Sequence, residues 1–146
     1  MKRCLPIAVA LVLWFVSPVF AASPVGLWKT IDDETKKEKS IVEIFEQGGR
    51  FYGRIVKLLQ EPDGGKSKLC TKCPAPDTNR PMIGLVFLKD LRPDGNEFSG
   101  GTIMDPAKGK VYRCKMELAE GGKKLKVRGF LGVSLLGRTQ VWERVN

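Results

Sequence analysis

The stretch "VYRCKMEL", Val111 to Leu118, decides the fold class. Tyr112, Cys114, Met116 and Leu118 fall on one side of a two-residue alternation, and Arg113, Lys115 and Glu117 fall on the other. A strand turns successive side chains to opposite faces, so the pattern is that of a half-buried strand with one wet face. The flanking segments repeat the signal. Downstream, "AEGGKK" turns into "LKVRGFLG", Leu125 to Gly132, where Leu125, Val127, Gly129 and Leu131 oppose Lys124, Lys126 and Arg128. Phe130 falls on the nominally polar side. Upstream, the turn "DPAKGK" is preceded by "EFSGGTIM", Glu97 to Met104, which sets Phe98, Gly100, Thr102 and Met104 against Glu97 and Ser99.

Further strands read out on either side. They are "PVGLWKTI" (Pro24 to Ile31), "SIVEIFE" (Ser40 to Glu46), "RFYGRIVKLL" (Arg50 to Leu59), "MIGLVFLKDL" (Met82 to Leu91) and "RTQVWERV" (Arg138 to Val145). Most joins are short and carry turn residues, as in "QGG" and "RPDGN". Gln60 to Pro81 is the one long connection, and "VSLLG" is a short link outside the strands. No amphipathic helix long enough for a parallel crossover is present, so the strands form an antiparallel up-and-down meander. Closing the meander into a barrel removes both unpaired edges. At eight strands the interior holds packed side chains or one small ligand. Mid-strand Gly53, Gly84, Gly100, Gly101 and Gly129 suit strongly bent strands and close backbone approach. The expected fold is all-β, a single eight-stranded antiparallel barrel.

The first 21 residues stand apart. Lys2 and Arg3 precede an apolar run from Leu5 to Phe15, followed by Ser17, Pro18 and small residues up to Ala21. That is the pattern of a secretory signal peptide cut after Ala21. The expected organisation is a cleaved leader over 1–21 and a barrel domain over 22–146, periplasmic or secreted, with no transmembrane segment after cleavage. Cys4 would leave with the leader.

The chain carries 25 Lys and Arg against 16 Asp and Glu, a formal net charge of +9. The basic residues are scattered among apolar ones, as on the wet face of a sheet. No base- or phosphate-reading motif accompanies them, so nucleic acid is not an expected partner. Attraction to an anionic membrane surface is the milder consequence of the charge.

Four stretches together resemble a bacterial family of exported proteins, domain of unknown function 2147. They are "GLWKTIDDETKKEKSIVEIFEQGGRFYGRIVKL", "RPMIGLVFLKDL", "GGTIMDPAKGKVYRCKM" and "LKVRGFLGVSLLGRTQVWERV". "GGTIMDP" and "SLLGRTQVW" are the specific parts of the match. The family is similar in fold to lipocalins and fatty-acid-binding proteins. Gly26-Leu27-Trp28 resembles the lipocalin Gly-x-Trp, in which the tryptophan plugs the closed end of the barrel. The resemblance implies a basic residue from the last strand over that ring, and Arg138 and Arg144 are the candidates. It implies a fold and a compartment, but no reaction.

With no histidine, Ser-His-Asp and Cys-His sites are excluded. Asp32, Asp33 and Glu34 sit in a charged turn and Glu43 and Glu46 on a half-exposed strand, so these acids read as solvated surface. "PDGG" and "GGRF" do not run from a strand into a helix and lack phosphate-loop geometry. No catalytic residue and no cofactor is assigned. After the leader three cysteines remain, Cys70, Cys73 and Cys114. A lone Cys-x-x-Cys without histidine or a second pair is a poor zinc site, and no metal is assigned. Pro74 biases Cys73 away from the helical region, which removes the helix-dipole mechanism of a redox centre. A structural disulfide suits an exported protein. Cys70–Cys73 and a bond from the long loop to Cys114 both stand as pairings, with free thiols the remaining case.

The leading expectation for function is a binding protein for a small, mostly apolar, lipid- or fatty-acid-like ligand in the barrel cavity. The candidate liners are Trp28, Tyr52, Phe98, Tyr112, Met116 and Trp142, with Arg54, Arg128 or Arg138 to meet a carboxylate head group. The Gln60–Pro81 loop would act as lid or rim. The alternative is a cell-envelope interaction or structural module with a solid core and no ligand.

Overall fold

A computed structural model describes residues 12–15, 22–133 and 136–146. All of the expected leader except residues 12–15 lies outside the described residues, as do Ser134 and Leu135 of the "VSLLG" link. Eight strands form in chain order: β1 Gly26–Ile31, β2 Glu38–Gln47, β3 Arg50–Leu58, β4 Val86–Asp94, β5 Glu97–Asp105, β6 Lys110–Ala119, β7 Lys124–Phe130 and β8 Gly137–Arg144. Each pairs antiparallel with the next, and β8 returns to β1, so the sheet closes into an up-and-down barrel. No helix among the described residues is long and apolar enough to cross a membrane.

The local chemistry explains the tight joins. Gln47 pairs with Arg50 across a two-residue loop in which Gly48 and Gly49 both hold positive φ, 60° and 75°. A side chain would be strained at both positions, and this twist suits the flanking strands. The β2–β3, β4–β5 and β6–β7 turns fall at one end of the barrel. The 32–37 turn, the long 59–85 connection and the 106–109 turn fall at the other.

Two departures from simple alternation position the site. The fourth strand was expected from Met82 and starts at Val86. Gly84 holds φ 88°, and the Leu85 amide bonds the Met82 carbonyl at 3.2 Å, so Met82–Leu85 is a turn leading into the strand. The fifth strand carries a bulge. Phe98 pairs with Met116 but Gly101 pairs with Cys114, so three steps on β5 match two on β6. One extra residue exchanges the two faces of everything beyond it. Gly101 and Ile103 therefore face inward, whereas Thr102 and Met104, expected on the inner side, face outward. A Cβ at Gly101 would collide with the Lys89 carbonyl and the Leu91 amide, so only glycine allows β4 to lie this close.

Candidate functional site

The closed end is built around one ring. Trp28 is fully buried, and its Nε1 donates to the Pro24 carbonyl at 2.8 Å. The Arg144 guanidinium lies 4.2 Å from the centre of that ring. Arg144 also donates to the carbonyls of Gly122 at 2.8 Å, Val25 at 3.0 Å and Ser23 at 2.7 Å. It thus ties together the N-terminal segment, the β6–β7 turn and β8, and it resolves the choice between the two candidate arginines. Arg138 lies at the opposite end, where its Nε donates to the Asp33 carboxylate at 2.9 Å.

Above the plug the barrel is filled. Trp28, Ile44, Leu88, Leu91, Met116 and Trp142 each expose less than 2 % of their surface. Side chains enclosed this completely leave no void of molecular size beside them, so this half is a packed core. Trp28, Met116 and Trp142 belong to that core. Phe98 joins it from the closed-end side, its ring edge-on to Phe51 at 4.9 Å. Tyr112 alone of the expected aromatic liners reaches the open half, beside Ile103 and Gly129.

Three expected head-group or lining residues face away from the interior. Phe51, Gly53 and Ile55 of β3 point inward, so Tyr52 and Arg54 lie on the outer wall. There the Tyr52 hydroxyl donates to Asp90 at 2.9 Å, and Arg54 pairs with Glu43 at 2.9 Å and stacks on Phe45. Leu125 and Val127 point inward on β7, so Arg128 is also on the outer wall, donating to Thr139 at 2.8 Å. The physical reason is the alternation itself, since an even-odd neighbour of a core residue cannot share its face.

The cysteines settle as a bond between Cys70 and Cys73, with their Cα atoms 5.4 Å apart. Cys114 is a buried free thiol, and burial pushes its pKa up to about 12. Both half-cystines are buried although they sit in a loop. They rest on the outer wall: Cys73 Sγ lies 3.8 Å from Met104 Sδ, and Cys70 Sγ lies 3.8 Å from the Pro106 carbonyl. The long connection is therefore anchored on the outside of the barrel near its open end, and the bond pins a flap to the wall.

Between that flap and the wall run two adjoining grooves of about 260 Å³ and 190 Å³. They share Asp77, Val86 and Lys89. The first continues past Arg80 and Ile83, the second past Pro76 to Met104 and Val111. Lys89 Nζ and an Arg80 nitrogen stand 3.7 Å and 3.9 Å from the one Asp77 carboxylate. Sequence reading missed this set because Ile83 was placed in a strand and Met104 on the inner face. Pro81 and Gly84, punctuating "RPMIGLV", were the available signal that the strand starts later. Among the described residues no group of three or more Cys, Asp and Glu gathers to hold a metal ion.

The comparisons agree with this architecture. Residues 26–144 match the sequence model of a family described as "Uncharacterized protein conserved in bacteria (DUF2147)". The chain belongs to this family. Among solved structures it is similar to protein HP1028 from the human pathogen Helicobacter pylori, which is described as belonging to the lipocalin family. The TM-score is 0.74 at 28% sequence identity, over 86% of this chain and 85% of that one. No curated protein matches. As a member of the family the chain is a lipocalin-like barrel, and its Gly-x-Trp and Arg144 form the plug that the resemblance implied.

Proposed function

We propose that this protein is an exported bacterial binding protein that takes up a small, mostly apolar, lipid- or fatty-acid-like ligand at the open end of its barrel. The observation that carries the reading is the asymmetry of the barrel. One end is sealed by Trp28 and Arg144 over a packed core, while the grooves beside the disulfide flap, which mix apolar side chains with Asp77 and Lys89, lie on the wall toward the other end. The leader pattern and the Cys70–Cys73 bond support export, because disulfides persist in oxidising compartments. The reading assigns no catalytic role. The chain has no histidine, and the Cys114 thiol is sealed and held protonated.

The packed closed half favours a second reading, an envelope interaction module without a ligand. One experiment separates the two. The mature protein is purified from its native compartment, measured intact by native mass spectrometry, and extracted for lipids. A stoichiometric small molecule, or saturable binding of added fatty acids, is expected. An empty protein that also fails to bind fatty acids and isoprenoids would leave the interaction module standing, and a stoichiometric protein partner would support it.

A further inference from the structure

We propose that the outer wall of β6–β7, together with the aliphatic residues at its open end, is a docking surface for an anionic lipid bilayer. This surface is on the outside of the molecule, across the barrel from β2–β3, and does not depend on a ligand in the barrel.

The wall is strongly basic. Cys114 and Met116 point inward on β6 and Leu125 and Val127 on β7, so Arg113, Lys115, Lys126 and Arg128 point outward. The register sets them in a compact block, with Arg113 opposite Phe130, Lys115 opposite Arg128 and Glu117 opposite Lys126. Glu97 of β5 stands at the edge of the block, 3.7 Å from Lys115. Lys115 and Arg128 are like charges directly across the ladder, an arrangement that costs stability. Arg113 and Lys126 are exposed, and neither has a carboxylate within ion-pair distance among the described residues. Packing does not call for this, because an outer wall needs polar side chains but not an excess of one sign. An excess held at a cost in stability fits a surface that meets the opposite charge. Arg138 on β8 adds nothing to it, since Asp33 and Glu34 already neutralise that side chain.

The apolar part adjoins the block at the end away from the Trp28 plug. Leu131 follows β7 directly and is 49% exposed, and Leu136 precedes β8 directly and is 75% exposed. The Leu136 amide bonds the Val133 carbonyl at 3.1 Å, and Val133 is exposed as well. At about 3.3 Å per residue, Leu131 lies within about 10 Å of Arg128 along the chain. Aliphatic side chains next to Lys and Arg suit a bilayer interface. The apolar groups enter the headgroup boundary to a depth of about 5–10 Å, and the long basic side chains reach the phosphates. A barrel wall is convex, and flexible cations spread over two strands adjust to mobile headgroups, whereas a protein partner needs a fixed complementary surface. The formal net charge of +9 adds long-range attraction toward a negative surface.

The test is co-sedimentation of the mature protein with vesicles of phosphatidylcholine alone and of equal parts phosphatidylcholine and phosphatidylglycerol. Binding to the mixed vesicles is expected to be at least about tenfold tighter than to phosphatidylcholine, and to weaken as salt rises. At physiological salt, Arg113→Glu with Lys126→Glu is expected to weaken it at least about tenfold. Leu131→Ser with Leu136→Ser is expected to weaken it severalfold and to keep its salt dependence. Lys57→Glu with Lys66→Glu makes the same change in net charge at exposed positions away from the wall, and is expected to alter binding less than about twofold. Circular dichroism checks each fold. If the two charge-reversed pairs weaken binding equally, net charge alone acts and the wall is not a docking surface. Equal binding to both vesicle types, or binding to neither, also overturns the proposal. So does a stoichiometric acidic protein that binds this wall when the vesicles do not.

Discussion

At the scale of single residues, two arginines of β8 illustrate how context sets energetic weight. Arg144 covers a buried indole and donates to carbonyls of two separate segments. Arg138 makes an exposed ion pair with Asp33. Arg144→Ala is expected to cost about 2 kcal/mol or more, from charged hydrogen bonds at about 1.5–3 kcal/mol and a cation–π contact at about 0.5–1 kcal/mol. Arg138→Ala is expected to cost less than about 1 kcal/mol. Urea unfolding of both variants checks the contrast, and equal losses would refute the assigned plug. Both residues were legible as candidates, but only the barrel's depth axis separates them, because β8 carries one to each end. Cys114 gives a second residue-scale expectation. Its thiol is 1% exposed with its pKa raised to about 12, so iodoacetamide at pH 8 should leave it unmodified in the native protein. Adding denaturant should expose it to rapid alkylation, read by mass spectrometry.

At the scale of elements, the alternation of β6 and β7 predicted their faces directly, and Cys114, Met116, Leu125 and Val127 are buried as the pattern requires. The pattern of β5 misled, because a bulge at Ser99–Gly100 is one residue long and the sequence period does not announce it. The long connection shows the same limit. Cys70 and Cys73 mark a staple in the sequence, yet what they are stapled against depends on Met104 having turned outward. The bond closes so short a loop that its chain-entropy contribution is only about 2 kcal/mol. Reduction is therefore expected to lower stability by about that amount while far-UV circular dichroism keeps the barrel signal. A Cys70→Ser, Cys73→Ser variant should unfold at the same urea concentration as the reduced protein. Loss of the barrel on reduction would show that the flap carries the fold.

At the scale of the whole molecule, the open end is braced by carboxylates held below their ordinary range. Backbone amides of Thr35 and Glu34 lower Asp32, the Arg138 guanidinium lowers Asp33, and the Ser67 hydroxyl and amide lower Asp63. The Tyr52 hydroxyl does the same for Asp90 on the outer wall. A carboxyl whose folded pKa lies below its unfolded value stabilises fully above the unfolded value, 3.8, and loses that contribution as pH falls through the folded pKa. Stability measured by urea is thus expected to be flat in these groups from neutrality to about pH 5 and to fall below about pH 4. Asp33→Asn should blunt that fall. By itself the sequence determined the strand count, the antiparallel order and the closure, while the Trp28 plug was implied by the Gly-x-Trp resemblance. The first three follow from a two-residue period, short turns and the cost of unpaired edges, all of which are local or additive along the chain. The tertiary structure alone decided that the closed-end half of the barrel is filled, that Thr102 and Met104 turn outward, and that a groove lies beside the disulfide flap. Those depend on which side chains from distant strands meet, and a single bulged residue in β5 is enough to change that.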